Sequence, residues 1–494
     1  MASHGYRRHA SKVLVIAPRS FVTRRLEVGA GYPFTEHARS AAILAAGFAS
    51  ALALALVIAL LGPKLTVLAI VFALLVTIIA RHPPVGAYLL IGITPLVAGI
   101  NRGSTGLRPN EALMVIVGIA LCGRAVCRAA TRSRFRLTRL DVAILLMAVT
   151  SSIIPLAWLA LRGQHIEKDD VLYALMVWKY YGIFLIFRSA ISSSAQVRIC
   201  LWLALAAGAV VAVIAIAESV HLLGVNAFLG KYYAPYGNVT ATTINRGGST
   251  LGLPIAVADL LTLNLAIAIG LLRTSRRRSL LLGLTSLFVL GVFAAGEFSG
   301  ILALLVGTIA IGIATRRIRY LAVLPAAAAV AAVALRPVIS ARLQGFQSTS
   351  GLPRSWEGRL HNLENYFFPQ LFSGDHWVLG VRPAARVVAP KLATGYIWIE
   401  SGYTWLLWAG GVPLLASFLY FLWAAGREAL LVFRRRIDEV GAAALAVVTG
   451  LSFVGVLMIL DPHLTYRGSA DLLFALLGIT AAGRMMPDRS RGGS

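Results

Sequence analysis

The chain is expected to fold as an all-α, polytopic transmembrane helix bundle of about 12–14 spans, with a large extracytoplasmic loop containing an amphipathic helix. Three observations lead there. The 494 residues are 58% hydrophobic and only 13% charged, with a mean hydropathy of +0.78, whereas a soluble globular chain carries about 25% charged residues. Apolar runs of roughly 16–22 residues recur along the whole length, close to the ~20 that a helix needs to cross a bilayer. Basic residues are sorted to alternate connections, as in inserted proteins. Together these exclude disorder, a disulfide-stapled secreted scaffold and a cytosolic enzyme. The formal net charge of +26 would suggest nucleic acid in a soluble protein. Here it records insertion topology, and no nucleic-acid partner is expected.

Residues 1–40 form a basic tail, too long and too charged for the n-region of a signal peptide, so the first apolar run is read as a retained helix. Residues 41–335 hold about eleven spans: 41–61, 65–80, 85–100, 111–126, 140–161, 171–188, 199–219, 254–272, 280–296, 299–315 and 320–335. Residues 336–395 are the large extracytoplasmic loop. Within 396–483 lie three more spans, 396–424, 439–460 and 470–483, and 484–494 form a second tail. Cys122, Cys127 and Cys200 sit in or beside apolar runs and offer neither a CxxC spacing nor a metal set.

With both termini in the cytoplasm, the inner segments collect 30 of the 46 lysines and arginines and the outer ones 15, Lys179 lying within a span. The runs Arg273/Arg276/Arg277/Arg278, Arg316/Arg317/Arg319 and Arg434/Arg435/Arg436 all fall inside. Acidic residues lean outward, about 13 of the 20. The outer face therefore mixes signs in a small area, as a polar reaction site does. Two outer loops, 220–253 and 336–395, exceed the ~12–15 residues beyond which loops are usually functional or disordered, and both are rich in aromatics. In the larger one Trp356, Leu360, Leu363, Phe367 and Leu371 recur at spacings of 4, 3, 4 and 4. That period marks an amphipathic helix suited to the outer membrane–water interface.

No GxxxxGK[ST], strand-flanked GxGxxG, HExxH or outer-loop DxD is present, so no metal or cofactor is expected. Phosphate charge would then fall to arginine, whose planar fork donates two parallel hydrogen bonds and never deprotonates. The candidates are Arg246, in a run of small residues ending at Pro254, and Arg354, Arg359 and His361 on the amphipathic helix. Each has a plainer alternative as a headgroup anchor. Glu400 stands at the outer mouth of a span, where desolvation raises a carboxyl toward the range of a general base. Its plainer alternative is a helix-start charge favoured by the dipole. Lys179, Glu218, Asp259 and Glu297 lie within or at the ends of spans, where charge is expensive and faces the bundle interior. Asp461, His463 and Arg467 form an outer loop that can complete a polar site.

In their order along the chain these features resemble the O-antigen ligase and O-antigen polymerase superfamily, membrane glycosyltransferases of the GT-C type. Four stretches carry the resemblance: Arg246 through Pro254; the turn Glu297-Phe298-Ser299-Gly300, which keeps the family's glycine without its arginine; Gly358-Arg359 ahead of Gly380-Val381-Arg382-Pro383; and Glu400, which alignment on Tyr403 and Gly411 places where ligases carry histidine. It covers roughly residues 200–425. The resemblance implies a polysaccharide polymerase in the plasma (inner) membrane. It would transfer a glycan from a polyprenyl-diphosphate donor to a hydroxyl of an acceptor glycan at the outer face. Glu400 would be the catalytic base; Arg246 and Arg359 would bind the diphosphate, with Arg354 in reserve. His361, Glu297, Tyr403, Asp461 and Arg467 would support them. The alternatives are ligase-like transfer of a finished glycan to a lipid or protein acceptor and, from another class, a lipid-linked-sugar or ion-coupled transporter using Lys179, Glu218 and Asp259. No internal repeat of the kind common in transporters is visible.

Overall fold

The structure is a computed structural model that describes residues 67, 69–100, 107–128, 137–233, 246–317, 323–344, 354–389 and 395–486. Met1–Val71 and Phe72–Ser494 are separate compact units. The expected basic tail 1–40, the first span 41–61 and the end of the chain beyond 486 lie outside the described residues. Among the described residues nine helices are long and apolar enough to cross a membrane, and ten if one bent pair counts as a span. The protein is an all-α, multi-pass membrane bundle.

The first two helices, α1 (Ala69–Arg81) and α2 (Pro83–Val97), form that bent pair, with 117° between them. Pro83 and Pro84 start α2 and cannot extend a preceding helix. The expected spans 65–80 and 85–100 are therefore two arms of one bend. Next come α3 (Pro109–Arg128) and α4 (Arg139–Ser151), opened by a capping box between Thr138 and Asp141. The backbone breaks at Ser152 before α5 (Ile153–Leu161). Short α6 (Lys168–Ala174) leads into α7 (Met176–Ala190). The 26-residue α8 (Ser194–Ser219) follows, then α9 (Val225–Tyr232) in the loop beyond it.

The centre of the bundle is α10 (Pro254–Leu271), opened by a proline at its first position and buried all round. It packs against α8, α11 (Arg278–Ala295) and α12 (Phe298–Thr315). Thr262 and Asn264 return their side chains to their own helix, donating to the carbonyls of Ala258 and Leu260 at 2.8 and 2.9 Å. Small residues let neighbouring backbones approach, as helix packing in lipid requires, for instance Gly270 against Ala442 and Gly307 against Thr262.

Residues 320–335, read as a span, include α13 (Val323–Ala334), and residues 318–322 ahead of it lie outside the described residues. Then come α14 (Arg336–Gln344), α15 (Arg354–Asn362), a π-turn at Leu363–Phe367, α16 (Phe368–Phe372) and α17 (His376–Leu379). The wider π-turn rotates the apolar stripe. Phe367 and Leu371 are buried, with the Phe367 ring edge-on to Trp408 at 5.2 Å, whereas Leu360 is half exposed. The second half of the expected interfacial helix is thus packed into the protein.

The expected start of a span at 396 belongs instead to a small hairpin, β1 (Arg386–Val388) antiparallel to β2 (Tyr396–Trp398). The helix itself is α18 (Gly402–Arg435), capped by Ser401. It is followed by α19 (Glu439–Leu457), capped by Asp438, and the 16-residue α20 (Ser469–Arg484).

Helix α18 is broken at Gly411, with φ 65° and ψ −159°, a region open essentially only to glycine. A Cβ there would lie 2.2 Å from the carbonyl oxygen of Val378, because the large loop is laid against the kink: the Val381 N–H donates to the Trp408 carbonyl at 2.7 Å. Gly411→Ala is expected to destabilise the protein by about 3 kcal/mol through strain and displacement of the loop. A thermal-unfolding midpoint equal to that of the wild type would refute it.

The chain's connections sort to two ends. Among the described residues one end gathers the 162–170, 246–253, 296–297, 354–389, 395–401 and 458–468 segments, with ion pairs Arg246–Glu297, Arg359–Asp461 and Arg382–Asp170 between them. At the opposite end Arg198 meets Glu439 at 2.5 Å and Arg436 donates to the carbonyls of Gly483 and Met486. The basic runs Arg273–Arg278, Arg316–Arg317 and Arg434–Arg436 lie at this second end.

Candidate functional site

The run of small residues after Arg246 is stitched into the bundle. The Ser249 N–H donates to the buried Glu218 carboxylate at 2.6 Å, the Thr250 hydroxyl to the Pro95 carbonyl at 2.7 Å, and the Gly247 N–H to the Ala294 carbonyl at 3.0 Å. A Cβ on Gly247 would sit 2.5 Å from the Ala215 carbonyl oxygen, so only glycine permits this approach to α8. The run therefore delivers Arg246 to the end of α11. Its Nη1 donates to Oε1 of Glu297 at 2.8 Å. Glu297 occupies the extended N-cap of α12, so its carboxylate lies at the positive end of that helix.

Beside this pair lies a second cluster, drawn from three distant segments. Arg359, on α15, donates through Nη1 to Oδ2 of Asp461 at 2.8 Å, and its Nε lies 3.6 Å from Oε2 of Glu400. Asp461 also accepts from the Tyr466 hydroxyl at 3.3 Å. Exposure separates the three acids: the Asp461 side chain is 4% exposed, Glu297 17% and Glu400 42%. Glu400 is the carboxylate most open to an incoming molecule and the one least tightly held.

Burial raises the pKa of Glu400 above the ordinary carboxylate range. Arg359 opposes the shift, and the charges of Asp461 and Glu297 add to it. Asp461 is likewise raised, first by burial, against the pull of Arg359 and His463. Burial lowers Arg359, but Asp461 and Glu400 outweigh it and leave the guanidinium more firmly protonated than usual. Since Glu297 acts on both other acids, the Arg246 pair and the Arg359 cluster lie within electrostatic reach of each other.

Of the residues singled out in the sequence, Arg246, Glu297, Arg359, Glu400 and Asp461 are thus brought together. Four others are not brought into this cluster by any described contact. Arg354 is the first residue of α15, and its side chain lies outside the described residues. His361 is exposed and contacts Asn365 one turn along at 3.1 Å. The Tyr403 hydroxyl donates to the Gly455 carbonyl at 2.6 Å, bracing α18 against α19. Arg467 is half-buried and acts electrostatically on Tyr180 of α7. Lys179 is engaged elsewhere, pairing with Asp471 at 2.7 Å.

One set of residues escaped the sequence reading. Arg382 grips the fully buried Asp170 through Nε and Nη2 at 3.1 and 2.6 Å and reaches Glu167 at 3.0 Å, while Arg386 pairs with Asp169 at 2.7 Å and lies over the Tyr396 ring. Arg162 donates to the Val381 carbonyl. These contacts bolt the large loop to the 162–170 segment and hold the frame from which Glu400 emerges. The dense acids of 167–170 facing a basic loop were the available signal.

Among the described residues no group of three or more His, Cys, Asp or Glu side chains is arranged to hold a metal ion. What the cluster offers is a half-exposed carboxylate of raised pKa beside Arg359, with the Arg246–Glu297 pair within electrostatic reach. Each arginine is committed on one edge to an acid, and no described residue bonds Nη2 of Arg359. Compared with known proteins, the chain matches no family model, no curated protein and no solved structure.

Proposed function

We propose that this protein is a polysaccharide polymerase that transfers a glycan from a polyprenyl-diphosphate donor to a hydroxyl of an acceptor glycan. The observation that carries the reading is the juxtaposition of Glu400 and Arg359, backed by Asp461 and flanked by Arg246 and Glu297. In the proposed reaction the acceptor oxygen attacks the anomeric carbon, the bond from that carbon to the diphosphate oxygen breaks, and the hydroxyl proton passes to Glu400. The lipid diphosphate leaves with the bonding electrons, and Arg359 and Arg246 neutralise the charge it acquires. A transporter reading is less well supported. Lys179, Glu218 and Asp259 are each held by a separate partner, Asp471, Ser249 and His463.

The same proposal puts the Glu400 end at the outer face of the plasma (inner) membrane and both termini in the cytoplasm. The concentration of basic runs at the opposite end supports it. Single cysteines replacing the exposed Ser373 and Thr274, in a chain lacking the native three, are expected to label oppositely in intact cells: Ser373 accessible and Thr274 protected from an impermeant maleimide. Labelling at Thr274 would overturn the orientation.

The decisive assay incubates purified protein with polyprenyl-diphosphate glycans. Stepwise longer glycans with release of free lipid diphosphate are expected. A single jump to one larger acceptor would indicate a ligase, and the absence of either product would refute transfer.

A further inference from the structure

Asp259 and His463 are each 1% exposed and lie 204 residues apart in the chain. Nδ1 of His463 sits 3.0 and 2.8 Å from the two oxygens of Asp259, the arrangement of an N–H donated to a carboxylate. Phe453 and Tyr466 meet the imidazole at 70° and 77° to its plane, and Nε2 is buried with no hydrogen-bond partner among the described residues. Such a pair is an expensive way to fill a bundle interior. Both groups are desolvated, and well-packed apolar side chains would avoid that cost.

The turn just before His463 links the pair to Asp461. Pro462 has φ −76° and ψ 63°, and the His463 N–H donates back to the Asp461 carbonyl at 2.8 Å. This is an inverse γ-turn, with φ locked by the proline ring. Asp461 and His463 are therefore held in one rigid relation. The imidazole is pinned to the central helix α10, and the carboxylate two residues away is presented to Arg359.

We propose that Asp259 and His463 are a positioning pair for Arg359, acting through the Asp461-Pro462-His463 turn. The use made of Arg359 rests on the function proposed above; its placement does not. The pair touches neither Arg359 nor Glu400 in the described structure. It sets the aim of Asp461, which in turn fixes the guanidinium beside Glu400.

The test follows arginine modification by phenylglyoxal, read peptide by peptide by mass spectrometry on the purified full chain in nanodiscs. Arg436, 6% exposed and bonded at the opposite end, is the internal control. His463→Leu removes the donor and is expected to speed modification of Arg359 about tenfold, the scale of one lost hydrogen bond to a charged group, with Arg436 unchanged. His463→Asn restores a donor near the Nδ1 position and should stay within about threefold of wild type. If His463→Leu unprotects Arg436 as well, the fold has failed, and Pro462→Gly decides, since it unlocks the turn while leaving the pair intact. It too should unprotect Arg359 alone. Arg359 remaining at the wild-type rate in folded His463→Leu, or in Pro462→Gly, overturns the proposal. In the transfer assay His463→Leu should lower kcat about tenfold with little change in donor KM, and His463→Asn should restore it. Absence of transfer with the expected labelling pattern would sink the functional reading alone, whereas transfer with an unmoved Arg359 would sink the positioning pair alone.

Discussion

Glu400→Gln is expected to lower turnover by about 10²–10⁴-fold, the contribution of a positioned general base, while leaving donor affinity within about threefold. Glutamine keeps the shape of the side chain and its hydrogen bonding but cannot take the acceptor proton. The measurement is single-turnover rate at saturating donor, in protein whose unfolding midpoint matches the wild type. Turnover within about threefold of wild type would remove Glu400 from the chemistry and turn attention to Asp461 and Glu297. The pH profile supplies an independent check. A base works deprotonated, so the rate falls as pH drops through its pKa. Because burial raises that pKa, the acid limb should lie above the ordinary glutamate range. Arg359 pulls the pKa of Glu400 down, so Arg359→Ala should move the limb further up in whatever activity remains.

Arg359→Lys is expected to cost about 10²–10³-fold in kcat/KM, the scale seen when one preorganised donor to a developing anion is removed. The charge survives, but the fork does not. Arg359 spans two carboxylates with Nη1 and Nε, and no described residue bonds its Nη2, whereas a lysine ammonium cannot serve three directions from one planar frame. Arg359→Ala should also lower stability by about 3 kcal/mol, because it leaves the nearly buried Asp461 beside Glu400 and Glu297 without a compensating charge. The pair of readouts separates site from scaffold. A lysine variant with wild-type kcat/KM and stability would mark Arg359 as a headgroup anchor.

The membrane bundle was legible because it rests on local quantities. Twenty apolar residues in a row say the same thing wherever they stand, and counting charge already groups Arg273–Arg278 with Arg434–Arg436 at one end. The failures were equally local in origin. Hydropathy at 396–401 could not show that Tyr396–Trp398 would pair with Arg386–Val388. The period of Trp356 to Leu371 was read through a π-turn that no periodicity reveals.

The site divides along the same line. Arg246 and Glu400 stood out as single residues because a charge next to an apolar span needs a reason, and Arg359 because it lies on an amphipathic helix in a long outer loop. Which acid answers which arginine depended on contacts 51 residues apart for Arg246–Glu297 and 102 for Arg359–Asp461. The clamp of Arg382 on Asp170 joins residues 212 apart. Composition and charge thus settled that this chain is a bundle in a membrane with its basic runs at one end, since insertion acts on each segment as it comes. Only the packed structure decided that Tyr403 braces two helices while Glu400, three residues before it, stands half exposed beside Arg359. Burial and pairing are properties of the neighbours a side chain meets, and helix packing chooses those neighbours.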